Sequence, residues 1–250
     1  MDPILQGTLI AFGYGAVLFI LIKLFGVKYT DIATSTENIK KGIFLPVGIA
    51  GTGLVIFSAL NGWLIPAFTP PPSEYLTWWM WLIPATILLG ILVRFTQARW
   101  KQFTPMGIFY LVVGVLLVGI SEELLTRGLL VQLLNESGIP QYAVMLTSSI
   151  IFGLLHGMNY FNGQDRKTTR SQIVITTFIG MALYTSFIIS GTLWVPIALH
   201  TLFDISLLAS IGTTPGAERR PRSLEVLSTL LMYALTFITF ITLLASSLVS

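Results

Sequence analysis

The chain has 250 residues, 54% of them hydrophobic and only 10% charged, against about 25% charged in an ordinary soluble domain. With a mean hydropathy of +0.82 and 16 Phe, 8 Tyr and 6 Trp, this composition excludes a water-soluble globule, a disordered chain and a nucleic-acid-binding module. The net charge of +3 reads as basic cytoplasmic loops of a polytopic membrane protein rather than as an anionic partner, and the absence of cysteine removes disulfides, thiolate metal ligands and a cysteine nucleophile.

Apolar runs and their polar breaks predict eight membrane helices near residues 4–25, 43–68, 75–95, 105–134, 140–158, 171–190, 192–212 and 224–249. The start, Met1-Asp2-Pro3, lacks the basic region of a signal peptide, so the first run is expected to persist in the mature protein. The breaks are recognisable: Lys40-Lys41-Gly42, the stiff turn Thr69-Pro70-Pro71-Pro72-Ser73, Thr104-Pro105, Asn135 to Pro140, Asn162 to Asp165, Ser190-Gly191, and Thr213 to Arg222. No repeat suggests an inverted-repeat transporter. The expectation is an all-α fold forming one integral membrane domain over residues 1–250, with a motif-bearing core at 105–212.

Charge placement tests the segmentation, because Lys and Arg should collect in alternate loops if the helix count is right. Of the 14 Lys and Arg, all but Arg127 fall around loops 1–2, 3–4, 5–6 and 7–8. Trp63, Trp78, Trp79, Trp81 and Trp194 fall toward the other face. Eight spans with both termini outside follow, and the Arg219-Arg220-Pro221-Arg222 cluster reads as a topology anchor on anionic lipid.

The charges that remain lie inside spans: Glu122, Glu123 and Arg127 in the fourth and Asp204 in the seventh. The chain's 2 histidines, His156 and His200, lie in the fifth and seventh. An ionised side chain at a helix centre costs roughly 2.5–3.5 kcal/mol, so such residues are normally paired, inward-facing and functional. Glu123 and Arg127 are spaced i,i+4 and can pair along one face, leaving Glu122, rotated about 100°, free. Phe152 and His156 repeat that spacing, as do His200 and Asp204, so Asp204 can orient His200. Phe152 reads as a packing residue beside His156, and Asn159 as an interfacial cap. By rise per residue Glu122 and His156 can be neighbours, whereas His200 fits less well in depth. The Glu-Glu pair falls in the middle or outer half of its helix.

Ser121-Glu122-Glu123-Leu124-Leu125-Thr126-Arg127-Gly128 looks like the EExxxR motif, Phe152 to His156 like FxxxH, and His200 to Asp204 like HxxxN/D. In that order, on separate membrane helices, they resemble the CAAX prenyl protease and bacteriocin-processing family (CPBP or Abi) of intramembrane endopeptidases, in its prokaryotic form. The resemblance implies peptide hydrolysis with Glu122 and His156 activating water, and with His200 and Asp204 stabilising the oxyanion, in a site between the fourth, fifth and seventh helices. Glu123, Arg127 and Phe152 would support it. Prenyl-protein proteases of this family typically have Asn where this chain has Asp204; an ionised Asp cannot donate, so Asp204 must be protonated, orient His200 or bind a metal.

No cofactor is required by the sequence. Glu122, His156, His200 and Asp204 are candidate zinc ligands, since the family was long described as metal-dependent, but no tight ligand spacing such as HExxH occurs. The partners implied are a peptide or protein tail near the membrane and the lipid bilayer of a prokaryotic cell. Two rivals stand beside the peptidase: a non-catalytic scaffold or bacteriocin-immunity protein of the same fold, and an ion-coupled transporter, which also needs buried carboxylates and imidazoles.

Overall fold

The computed structural model describes residues 2–73, 75–214 and 219–248. Among them, eight helices are long and apolar enough to cross a membrane: α1 Pro3–Phe25, α2 Thr36–Leu60, α3 Trp78–Phe95, α4 Pro105–Glu136, α5 Gln141–Phe161, α6 Arg166–Ser190, α7 Trp194–Ile211 and α8 Ser223–Ser247. The all-α, eight-span expectation holds.

The helix starts follow capping chemistry. Asp2 accepts from the Ile4 and Leu5 amides at 2.8 and 3.1 Å, and Pro3 takes the first helical position of α1. Thr104 caps α4 through the Gly107 amide, again with proline at the first position. Asp165 caps α6 through the Thr168 amide at 2.9 Å, and its hydrogen bonds to Thr168 hold this carboxyl below the usual range.

Three boundaries differ from expectation. Ser35 caps the Asn38 amide and starts α2 before Lys40 and Lys41, the latter paired with Glu37 at 3.1 Å. The helix ends at Leu60, because Gly62 turns the chain at φ 73°, so residues 61–68 leave the helix and Pro66–Phe68 form a separate 3-10 turn. Asp165 likewise starts α6 at Arg166 rather than near residue 171.

Loop contacts sort the two ends of the bundle. The Tyr29 amide donates to the Asn162 carbonyl at 2.8 Å and the Arg99 amide to the Ala209 carbonyl at 2.8 Å, joining loop 1–2 to loop 5–6 and loop 3–4 to the end of α7. At the opposite end the Leu193 amide meets the Phe68 carbonyl and Ser73 donates to Gln141. Trp78, Trp81 and Trp194 are exposed there. The basic loops therefore share one end, as the charge alternation requires.

Helices approach closely where one side chain is absent. A Cβ on Gly119 would strike Thr201, and one on Gly153 would strike Thr177, so α4 meets α7 and α5 meets α6 at small residues, the usual device for helix contact in lipid. At the basic end Arg94 Nε lies 3.0 Å from Glu225 Oε1, and Arg219 also donates to Glu225. Arg94 stacks 3.8 Å over the Phe203 ring. Arg219 is thus not the lipid anchor expected of its cluster: Glu225 draws it inward, where it ties loop 7–8 to α3 and α8.

Candidate active site

The site begins with a change of helix type. Helix α4 is regular through Glu123, passes through a π turn at Leu124–Leu129 and resumes at Leu130. Such wide turns are frequent at functional positions. Here the turn carries Arg127, which is fully buried. Its Nη1 donates to Glu123 Oε1 at 3.0 Å and to Thr126 Oγ1 at 2.7 Å, and its guanidinium lies 4.2 Å over the Phe152 ring. Nε and Nη2 have no hydrogen-bond partner, so the ion pair and the aromatic face carry this cation.

Glu123 makes a second contact that spacing alone did not suggest. His200 Nδ1 lies 2.8 Å from Glu123 Oε1; a carboxylate accepts, so Nδ1–H donates and the ring is held from α4. Nε2 then faces the other way, 3.5 Å from Asp204 Oδ2 and 3.8 Å from Glu122 Oε2. Asp204 therefore faces the working nitrogen of His200, and the orienting carboxylate is Glu123. The expected depth mismatch of His200 disappears.

His156 follows Leu155, where the regular part of α5 stops. Its Nδ1 lies 3.0 Å from the Phe152 carbonyl, which can only accept, so the neutral ring carries its proton on Nδ1 and presents a lone pair at Nε2. Phe152 joins the parts: 2% exposed, it meets His156 edge-on at 5.0 Å and His200 edge-on at 5.6 Å, with Arg127 on its face. Glu122 lies within electrostatic reach of His156, His200 and Asp204. All four candidate catalytic residues and the three candidate supports are thus brought together.

A small cavity of about 40 Å³ opens onto His156, His200 and Asp204, enough for a water among polar partners. Its remaining walls include Ile87 of α3, Thr176, Ile179 and Leu183 of α6, and Leu199 and Phe203 of α7. Helices α3 and α6 carry no motif, and the sequence offered no signal for them. The Asp204 side chain is 32% exposed, and α5 runs from His156 directly into loop 5–6. His156 and Asp204 thus stand toward the basic-loop ends of α5 and α7, while Glu122 lies just past the midpoint of α4, in keeping with the expected place of the Glu-Glu pair.

Among the described residues no three His, Asp or Glu side chains are grouped to hold an ion; of the candidate zinc ligands, Glu122, His156 and Asp204 lie around His200, whose Nδ1 is held by Glu123 and whose Nε2 is left open.

The family model described as type II CAAX prenyl endopeptidase Rce1-like matches residues 102–206, the stretch that holds every residue of this site from Glu122 to Asp204. Over this segment the chain is similar to the Rce1-like family. Comparison with curated proteins and with solved structures gave no match. The chain is thus an integral membrane protein with eight apolar spans, and its segment 102–206 is similar to a CAAX-endopeptidase family.

Proposed function

We propose that the protein hydrolyses a peptide bond near the end of a membrane-proximal peptide or protein tail, using a water activated by Glu122 and His156. The observation that carries this reading is the convergence of Glu122 and Asp204 on one nitrogen of His200, with the His156 lone pair beside them. The gaps of 3.5 and 3.8 Å around His200 Nε2 exceed direct hydrogen-bond lengths and suit an oxygen held between the groups.

The water oxygen attacks the carbonyl carbon, and its proton passes to the Glu122–His156 pair. The carbonyl electron pair moves onto oxygen, where His200 Nε2–H donates to it while Asp204 keeps that proton on the ring. Collapse of the tetrahedral intermediate breaks the C–N bond, and the stored proton goes to the leaving nitrogen. One water is consumed, leaving a carboxyl and an amine. The apolar walls of the cavity exclude bulk water from the attacking oxygen. With access taken at the basic-loop end, where His156 and Asp204 stand, the positive-inside rule puts the mouth in the cytosol and both termini outside.

The test compares peptides released in membranes carrying wild-type protein with those carrying Glu122→Gln or His156→Ala, followed by turnover of synthetic tails of the released sequence, with and without a prenyl group. Either substitution is expected to lower turnover by about 10²- to 10⁴-fold. Wild-type-like turnover in either variant overturns the mechanism.

A further inference from the structure

The α-helical ladder of α5 breaks at His156. The His156 amide bonds to the Gly153 carbonyl and the Gly157 amide to the Leu154 carbonyl, both three residues back, and a short turn, Met158–Phe161, follows. A ring at a helix break is fixed by whatever holds the chain beyond it. Here that is the connection between α1 and α2, which lies outside the segment matched by the family.

Tyr29 is central to this clamp. Its amide donates to the Asn162 carbonyl at 2.8 Å, and Asn162 returns a bond to the Val27 carbonyl at 3.1 Å. Its hydroxyl accepts from Gln172 Nε2 at 3.1 Å, and Gln172 Oε1 accepts from Asn159 Nδ2 at 3.0 Å. The Asn159 amide in turn bonds to the His156 carbonyl at 3.1 Å. One turn above, Lys23 donates to the Phe161 carbonyl and Phe19 packs edge-on to Phe161. The polar chain from Tyr29 through Gln172 and Asn159 therefore ends on the backbone of His156.

We infer that Tyr29, acting through Gln172 and Asn159, is a positioning residue that sets the register of the His156 ring against Glu122. The inference rests on the role given to His156 above. Burial pushes the Tyr29 phenol above its ordinary value, so it remains a neutral hydroxyl and a constant partner for Gln172. The carboxylates of Asp204 and Glu122 are near enough to act in the same direction.

The chain has 2 histidines, which makes the test direct. Protein labelled with ¹⁵N-histidine and purified without a histidine tag gives two imidazole signatures, assigned with His156→Gln. Tyr29→Phe removes the hydroxyl alone; it is expected to shift the His156 signature, leave that of His200 in place, and lower kcat about ten- to a hundredfold with KM within about twofold. Gln172→Leu should do the same, and the double variant should be no worse than either single one. An unmoved His156 signature in Tyr29→Phe, or in Gln172→Leu should the first variant not fold, overturns the inference. Full turnover by His156→Gln instead removes the catalytic reading, while the two signatures still decide whether Tyr29 positions the ring.

Discussion

Glu122 and Glu123 are chain neighbours with opposite surroundings. Glu123 is wholly buried and accepts from both Arg127 and His200, whereas the Glu122 side chain is 19% exposed and its Oε2 has no hydrogen-bond partner. Neutralising them should therefore separate stability from activity. Glu123→Gln leaves the buried Arg127 cation without a counter-charge, a loss of about 3–5 kcal/mol that should appear as a lower melting temperature in detergent. Glu122→Gln should melt within a few degrees of wild type while losing turnover. Equal melting points would contradict the assignment. The i,i+4 pairing of Glu123 with Arg127 was legible in the sequence, because it lies within one helix. The hold of Glu123 on His200 was not: it spans 77 positions and depends on how α4 and α7 are rotated against each other.

At the scale of elements, the site depends on helices that can touch. A Cβ on Gly180 of α6 would lie 3.0 Å from Arg127 Nη2, 3.0 Å from Ser149 Cβ and 3.2 Å from Phe152 Cδ1, so this glycine makes room for the cation and the ring that join the two histidines. Gly180→Ala is expected to destabilise by about 1–3 kcal/mol and to impair turnover through Phe152. Gly13→Ala meets nothing within 4 Å and should be neutral, or stabilising by up to about 1 kcal/mol. Thermal unfolding of the two variants in the same detergent checks the contrast. The helix count was legible from hydropathy and alternating charge. The π turn was not, because no residue type in Leu124–Leu129 distinguishes it from ordinary helix; nor was the capture of Arg219 by Glu225, which lies across a loop break.

For the whole molecule, the two ends of the bundle differ in chemistry, and the difference bears on orientation. A chain with 0 Cys admits single thiols as reporters. With the basic loops cytosolic, Ser137→Cys in loop 4–5 should react with a membrane-impermeant maleimide in intact cells, while Thr168→Cys at the start of α6 should react only after permeabilisation. The reverse pattern would place the mouth of the site outside. The three motifs were legible because each is short and local to one helix. The contributions of α1, α3 and α8 were not, since they act through loop 1–2, Ile87 and Glu225 at positions that carry no pattern of their own.

The pairing of Glu123 with Arg127 inside α4 also bears on biogenesis. When α4 is threaded into the bilayer, α5, α6 and α7 have not yet been synthesised, and neither His200 nor Phe152 is there to receive these charges. Their spacing on a single helix lets carboxylate and guanidinium neutralise each other at once, so the helix partitions into lipid as a net-neutral unit at these two positions. His200 then arrives three helices later to a carboxylate already oriented by its own strand of the bundle, and the order of the charges along the chain becomes the order of assembly.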